Sequence, residues 1–172
     1  MRLAAIFAIS FACIATPAAA VAGPPLAKAP LMAQVDRLTQ LLRDSSAVGY
    51  PEATMAQAVD LRAERQLVLA VFTVEGFGGG NNHSQYLAAF ETDADKSPPY
   101  YTLLDVIRIA GKGWRGIDKL NAKVTQSKGG DIAIAVDALE VGPEDAPNFP
   151  SKKTVIRVLL KNGRLAEQSQ RR

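Results

Sequence analysis

The chain has 172 residues, 20 Lys and Arg against 17 Asp and Glu, and a formal net charge of +3. That length suits one domain able to bury a core without disulfides or metals. The near balance of charge excludes a nucleic-acid binder of the usual basic kind, and the single cysteine excludes a disulfide framework.

Residues 1–22 read as a secretory signal peptide. Met1-Arg2 is a short basic start, Leu3 to Ala15 an apolar core, and Ala18-Ala19-Ala20 or Ala20-Val21-Ala22 a small-residue cleavage site. The mature chain is expected to begin near Val21 or Gly23, in the periplasm or outside the cell, with no membrane span. Removing Arg2 lowers the net charge to about +2. Cys13 falls inside the leader, so thiol catalysis and thiolate metal sites are not expected. The competing assignment of Cys13 to lipid attachment meets Ser10 where such sites resemble a Leu pattern.

The remainder, 23–172, reads as one α+β domain. Leu31, Val35, Leu38, Leu41 and Leu42 recur at spacings of three and four, which predicts an amphipathic helix over 30–43 with Pro30 in its first turn. The period then changes to two. Strands are expected at 54–61, 66–75, 85–91, 100–110, 117–125, 131–141, 153–161 and 164–168, joined by short turns that imply antiparallel neighbours. Gln66 to Glu75 is almost uniformly apolar, as in a strand covered on both faces. Asn162-Gly163 is a hairpin signal. The expectation is an antiparallel meander of six to eight strands with one N-terminal helix packed on it.

Two stretches stand out for function. The loop Gly76 to Ser84 holds four glycines, Asn81, Asn82 and the only histidine, His83. It lacks the third glycine and the following helix of a phosphate cradle, so its glycines are read as suppliers of positive φ in a wide hairpin. The second, Gly111 to Gly116, sets the lone Trp114 beside Lys112 and Arg115. Burial of the Trp as a bulge against the helix is the favoured reading, with the two cations in water and an exposed binding tip as the alternative.

Catalytic patterns are weak. One histidine and no mature cysteine make no zinc site, no G-x-S-x-G elbow exists, and Glu91, Asp93 and Asp95 lack the glycine and closing Glu of a calcium loop. No cofactor and no metal are expected. A small hydrolase would need His83 with Glu75 or Glu91, brought together across the hairpin.

Taken together, EGFGGGNNHSQYLAAF, GKGWRGID and LEVGPEDAPNFPS resemble the LppP/LprE-like group of bacterial secreted proteins and lipoproteins, over Asp60 to Leu165. The resemblance implies export and similar domain boundaries but brings no activity. Members of that group often carry two cysteines before the Pro-Ser step, where Asn148-Phe149 stand here, and the Asp-x-Asn-x-Asp-Gly element survives only in fragments at Asp60 to Arg65. The leading expectation is a non-catalytic binding domain for an unknown protein or small ligand, an inhibitor or immunity-type protein being one version. Its contacts would come from loop 76–84 and the tip, through Asn81, Asn82, His83, Lys112, Trp114 and Arg115. Weak self-association through the terminal strand, Arg164 to Gln168, is a further expectation.

Overall fold

The computed structural model describes residues 26–62, 65–93 and 99–169. The leader, Cys13, Asp95 and the Pro98 turn therefore lie outside the described residues. Helix α1 (Lys28–Leu42) is followed by strands β1 (Val48–Gly49), β2 (Met55–Asp60), β3 (Gln66–Glu75), β4 (His83–Asp93) and β5 (Tyr100–Gly111). The chain continues through β6 (Arg115–Gly116), β7 (Lys123–Gln126), β8 (Ile132–Glu140), β9 (Lys152–Lys161) and β10 (Arg164–Glu167). All pairings are antiparallel, in the order β1-β3-β4-β5-β6-β8-β9-β10, with β2 on β3 beside β1 and β7 on β8.

The sheet folds over on itself, which explains the apolar run of β3. Leu67, Leu69 and Val71 point inward against Ile134, Ile156 and Val158 of the second half. Val68, Ala70, Phe72 and Val74 alternate to the other face, where Leu31, Val35 and Leu38 of α1 cover them. A strand buried on both faces has no need of alternating polarity. The helix starts two residues earlier than its periodicity suggests, and its entry is fixed by Tyr101. That hydroxyl accepts from the Ala27 N–H at 3.1 Å and donates to the Ala27 carbonyl at 3.2 Å. Leu41 departs from the predicted stripe: it is 81% exposed, on the side away from the sheet.

Among the described residues there are ten strands, against the expected six to eight. The two additions to the eight named strands, β1 and β6, are only two residues long and leave little periodic trace. The expected strand 117–125 is a correction of another kind. Only 123–126 is a strand, and the segment before it pairs with side chains. The Gln85 amide donates to the Ile117 carbonyl and accepts from the Ile117 N–H, at 3.0 and 2.8 Å. Gln57 does the same for Ala122, at 2.9 and 2.8 Å. Each glutamine thus substitutes for a neighbouring backbone, satisfying both groups of one residue.

Similar contacts occupy the outer side of β10. Its Leu165 N–H donates to the Asp105 carboxylate of β5 at 2.9 Å, and the Glu167 carboxylate accepts both terminal nitrogens of Arg115. The terminal strand ends the sheet order with β9 as its ladder partner, and on its outer side Asp105 takes one backbone N–H. The Asn162-Gly163 turn forms as read, with φ of 51° and 72°.

Candidate functional site

The ladder passes from one half of the fold to the other through β6, at the corner Gly111 to Gly116. Three loops meet at that corner: the glycine loop 76–82, the tip 111–114, and the long connection 142–151.

The glycine loop is held from below by Asp44, just after α1. One carboxylate oxygen accepts from Ser46 and Ala47 N–H, and the other accepts from Gly78 N–H at 2.9 Å. Gly76, Gly78 and Gly79 all take positive φ, as the wide hairpin requires. The Gly76 N–H donates to the Asn82 carbonyl at 2.8 Å, and the Asn82 amide donates to the Phe77 carbonyl. His83 and Ser84 are not loop residues. They open β4, with His83 directly opposite Glu75 and Ser84 opposite Val74.

The tip is tied to both neighbours. Lys112 N–H donates to the His83 carbonyl, the Lys112 ammonium contacts Asn81 Oδ1, and Gly113 N–H donates to the Pro147 carbonyl at 2.8 Å. Gly111 is demanded by this crossing, since a Cβ there would stand 2.7 Å from the His83 carbonyl oxygen. The third loop closes on Asp145, whose carboxylate accepts from Gly142 N–H, Ser151 N–H and the Ser151 hydroxyl. It carries Phe149, which is 75% exposed.

Trp114 is a correction. It is 38% exposed and is not part of the cluster under α1; the guanidinium groups of Arg115 and Arg108 approach its ring, at 3.9 Å and 5.9 Å from the centroid. Arg115 is a correction too. Only 11% of its side chain is exposed, and it is engaged with Glu167, Trp114 and the Ile109 carbonyl, so it supports the tip instead of standing in water. Asn81, Asn82, His83 and Lys112 lie together at this end. Three adjoining hollows surround His83; one of about 490 Å³ also reaches Val48, Glu75 and Asn148, and one of about 330 Å³ reaches Phe77, Tyr86 and Arg108.

Glu75 and Glu91 do not converge. Glu91 lies opposite Leu67, eight positions along the ladder from the His83–Glu75 pair, or roughly 26 Å at strand rise. It is ion-paired with Arg65. A hollow of about 570 Å³ borders the same corner at Asp118 and lies over Asp137, Leu139, Lys153 and Val155. Its rim alternates carboxylates and ammonium groups and gathers no set of donors or acceptors of one kind.

Sequence reasoning missed Arg108, Phe149 and the two aspartates that hold the loops. The Asp44-Ser45-Ser46 run was a legible signal, because Asp accepts from backbone N–H groups two residues on. Both carboxyls lie below the ordinary carboxylate range. Asp44 is lowered by Gly78 N–H first, then Ala47 and Ser46; Asp145 is lowered by Gly142 N–H first, then Ser151. A depressed folded-state pKa stabilises the clamps above the unfolded carboxyl value and is lost as pH falls through the folded value. The amide resonances of Gly78 and Gly142 are therefore expected to titrate with midpoints below the ordinary Asp value of about 3.9. Asp44→Asn removes the titration at Gly78 and leaves that at Gly142; nuclear magnetic resonance spectra recorded against pH check both.

Comparison with protein-family models, curated proteins and solved structures gives no match to this chain. Among the described residues, no helix is long and apolar enough to cross a membrane.

Proposed function

We propose that the chain is an exported, non-catalytic binding domain whose contact surface is the three-loop end of the sheet. One observation carries this reading: the tip is joined by backbone hydrogen bonds to loop 142–151 and to His83 and by the Lys112 side chain to Asn81, while the three loops present polar and aromatic groups outward. Asn81, Asn82 and His83 supply adaptable hydrogen bonding, while Trp114 and Phe149 supply aromatic anchors. Rigid support beneath such groups reduces the ordering cost of binding. Export follows from the leader-like residues 1–22, and membership in the LppP/LprE-like group belongs to the same proposal. A protein partner, as for an inhibitor or immunity-type protein, and a small ligand both suit this end.

The hydrolase reading keeps His83 with Glu75 alone, because Glu91 is at the far end of the hairpin. The two side chains face each other across the ladder without an ion pair or hydrogen bond between them. A dyad needs its base oriented by such a bond and placed beside a nucleophile. Binding is the better-supported function.

The test is capture from a cell-envelope extract by the mature protein. Asn82→Ala/His83→Ala and Phe149→Ala are each expected to lose the partner or ligand that wild type retains, while melting within a few degrees of it. Retention by both variants contradicts the placement at the loop end.

A further inference from the structure

We propose that the hollow between Phe77, Tyr86, Arg108 and Lys112 is a subsite for a small organic anion, a phosphate or carboxylate on a flat apolar body. The inference rests on the binding reading above and names the chemistry of one part of that surface.

The hollow measures about 330 Å³, at the lower end of the range for small-molecule sites, and no carboxylate lines it. Arg108 is aimed there by a break in the ladder. The register between β4 and β5 shifts between Gln85 and Tyr86, so that Gln85 faces Ala110 and Tyr86 faces Arg108. Bulges of this kind redirect a side chain beside a site. The guanidinium is exposed and lies beside Trp114 and Gly111. Its Nη2 sits over Gly111, 2.9 Å from where a Cβ would be, and its carbon lies 5.9 Å from the Trp114 ring.

Among the described residues, Arg108 has no hydrogen-bonded or ion-paired partner, so its planar fork is free to grip two oxygens of one anion. Lys112 is steadied by Asn81 and keeps further N–H donors. His83 lines the same wall. The apolar part has its own seat. Tyr86 is stacked on Phe72 at 5.5 Å, which fixes its ring, and Phe77 faces the hollow beside it. Cations and aromatic rings lining one hollow select a ligand that carries both features. The neighbouring 490 Å³ hollow includes Glu75 and does not offer this selection.

Trp114 is the sole tryptophan, so its emission reports on Arg108. Phenyl phosphate, benzoate, inorganic phosphate and benzyl alcohol are titrated into the full mature chain, with amide chemical shifts recorded in parallel. Phenyl phosphate or benzoate is expected to saturate at least about tenfold tighter than inorganic phosphate or benzyl alcohol, as paired charged and apolar contacts predict. The tighter of the two identifies the head group. Arg108→Gln is expected to lose that preference at an unchanged melting temperature, and Arg108→Lys to recover part of it. Equal affinity for all four probes, or full affinity in Arg108→Gln, overturns the subsite. If partner capture persists while every probe fails, the subsite is refuted alone. Phe149→Ala, which abolishes capture but lies outside this hollow, is expected to keep probe binding.

Discussion

Phe90→Ala is expected to destabilise the domain by about 3–5 kcal/mol, the usual cost of emptying an aromatic core position. Phe90 is fully buried on the helix side of the sheet, edge-on to Tyr101 with ring centroids 6.4 Å apart. Tyr101 in turn holds the start of α1 through Ala27. The cavity therefore lies beneath the helix entry and loosens both the packing and the capping bond. Urea unfolding followed by circular dichroism measures the effect. A loss under about 1 kcal/mol would mean that the helix face contributes little to stability and that the core is carried by the inner layer.

Arg115→Ala is expected to cost about 2 kcal/mol and to redshift the Trp114 emission. The charge is mostly enclosed, its two terminal nitrogens reach Glu167 at 2.8 and 2.6 Å, and its plane lies on Trp114. Glu167 is partly exposed, so water recovers some of the lost pairing and keeps the cost below that of a fully buried pair. Trp114 loses its nearer cation and the cover that it gives. Arg115→Lys restores charge but not the bidentate plane, and is expected to recover less than half the stability. An unchanged emission in Arg115→Ala would show that the tip is held by its backbone bonds alone.

The parts of the fold governed by periodicity and turn chemistry were legible. The helix, the doubly covered β3 and the Asn162-Gly163 hairpin each follow from a local pattern that the packing does not override. Segment 117–122 was not, because two glutamines from β2 and β4 supply its partners and no local pattern announces a side chain acting as backbone. Leu41 fitted a helical stripe but falls on the exposed side of the helix. At the site, the glycine loop and tip were recognisable by composition. Arg108 was hidden because its orientation depends on a bulge, which moves a residue between faces without any mark in the sequence. The burial expected of Trp114 failed for a physical reason: two guanidinium groups approach its ring, so part of it is covered without entering the core.

The central claim is that the three-loop end makes the contact. A photo-crosslinking benzoylphenylalanine in place of Phe149 tests it most directly, with the same residue in place of Arg157, on the exposed face of β9, as the control. The account predicts a discrete adduct from position 149 in a cell-envelope extract, lost when Asn82→Ala/His83→Ala is added, and none from position 157. An adduct from position 157 alone, or the same adduct from both, would contradict it.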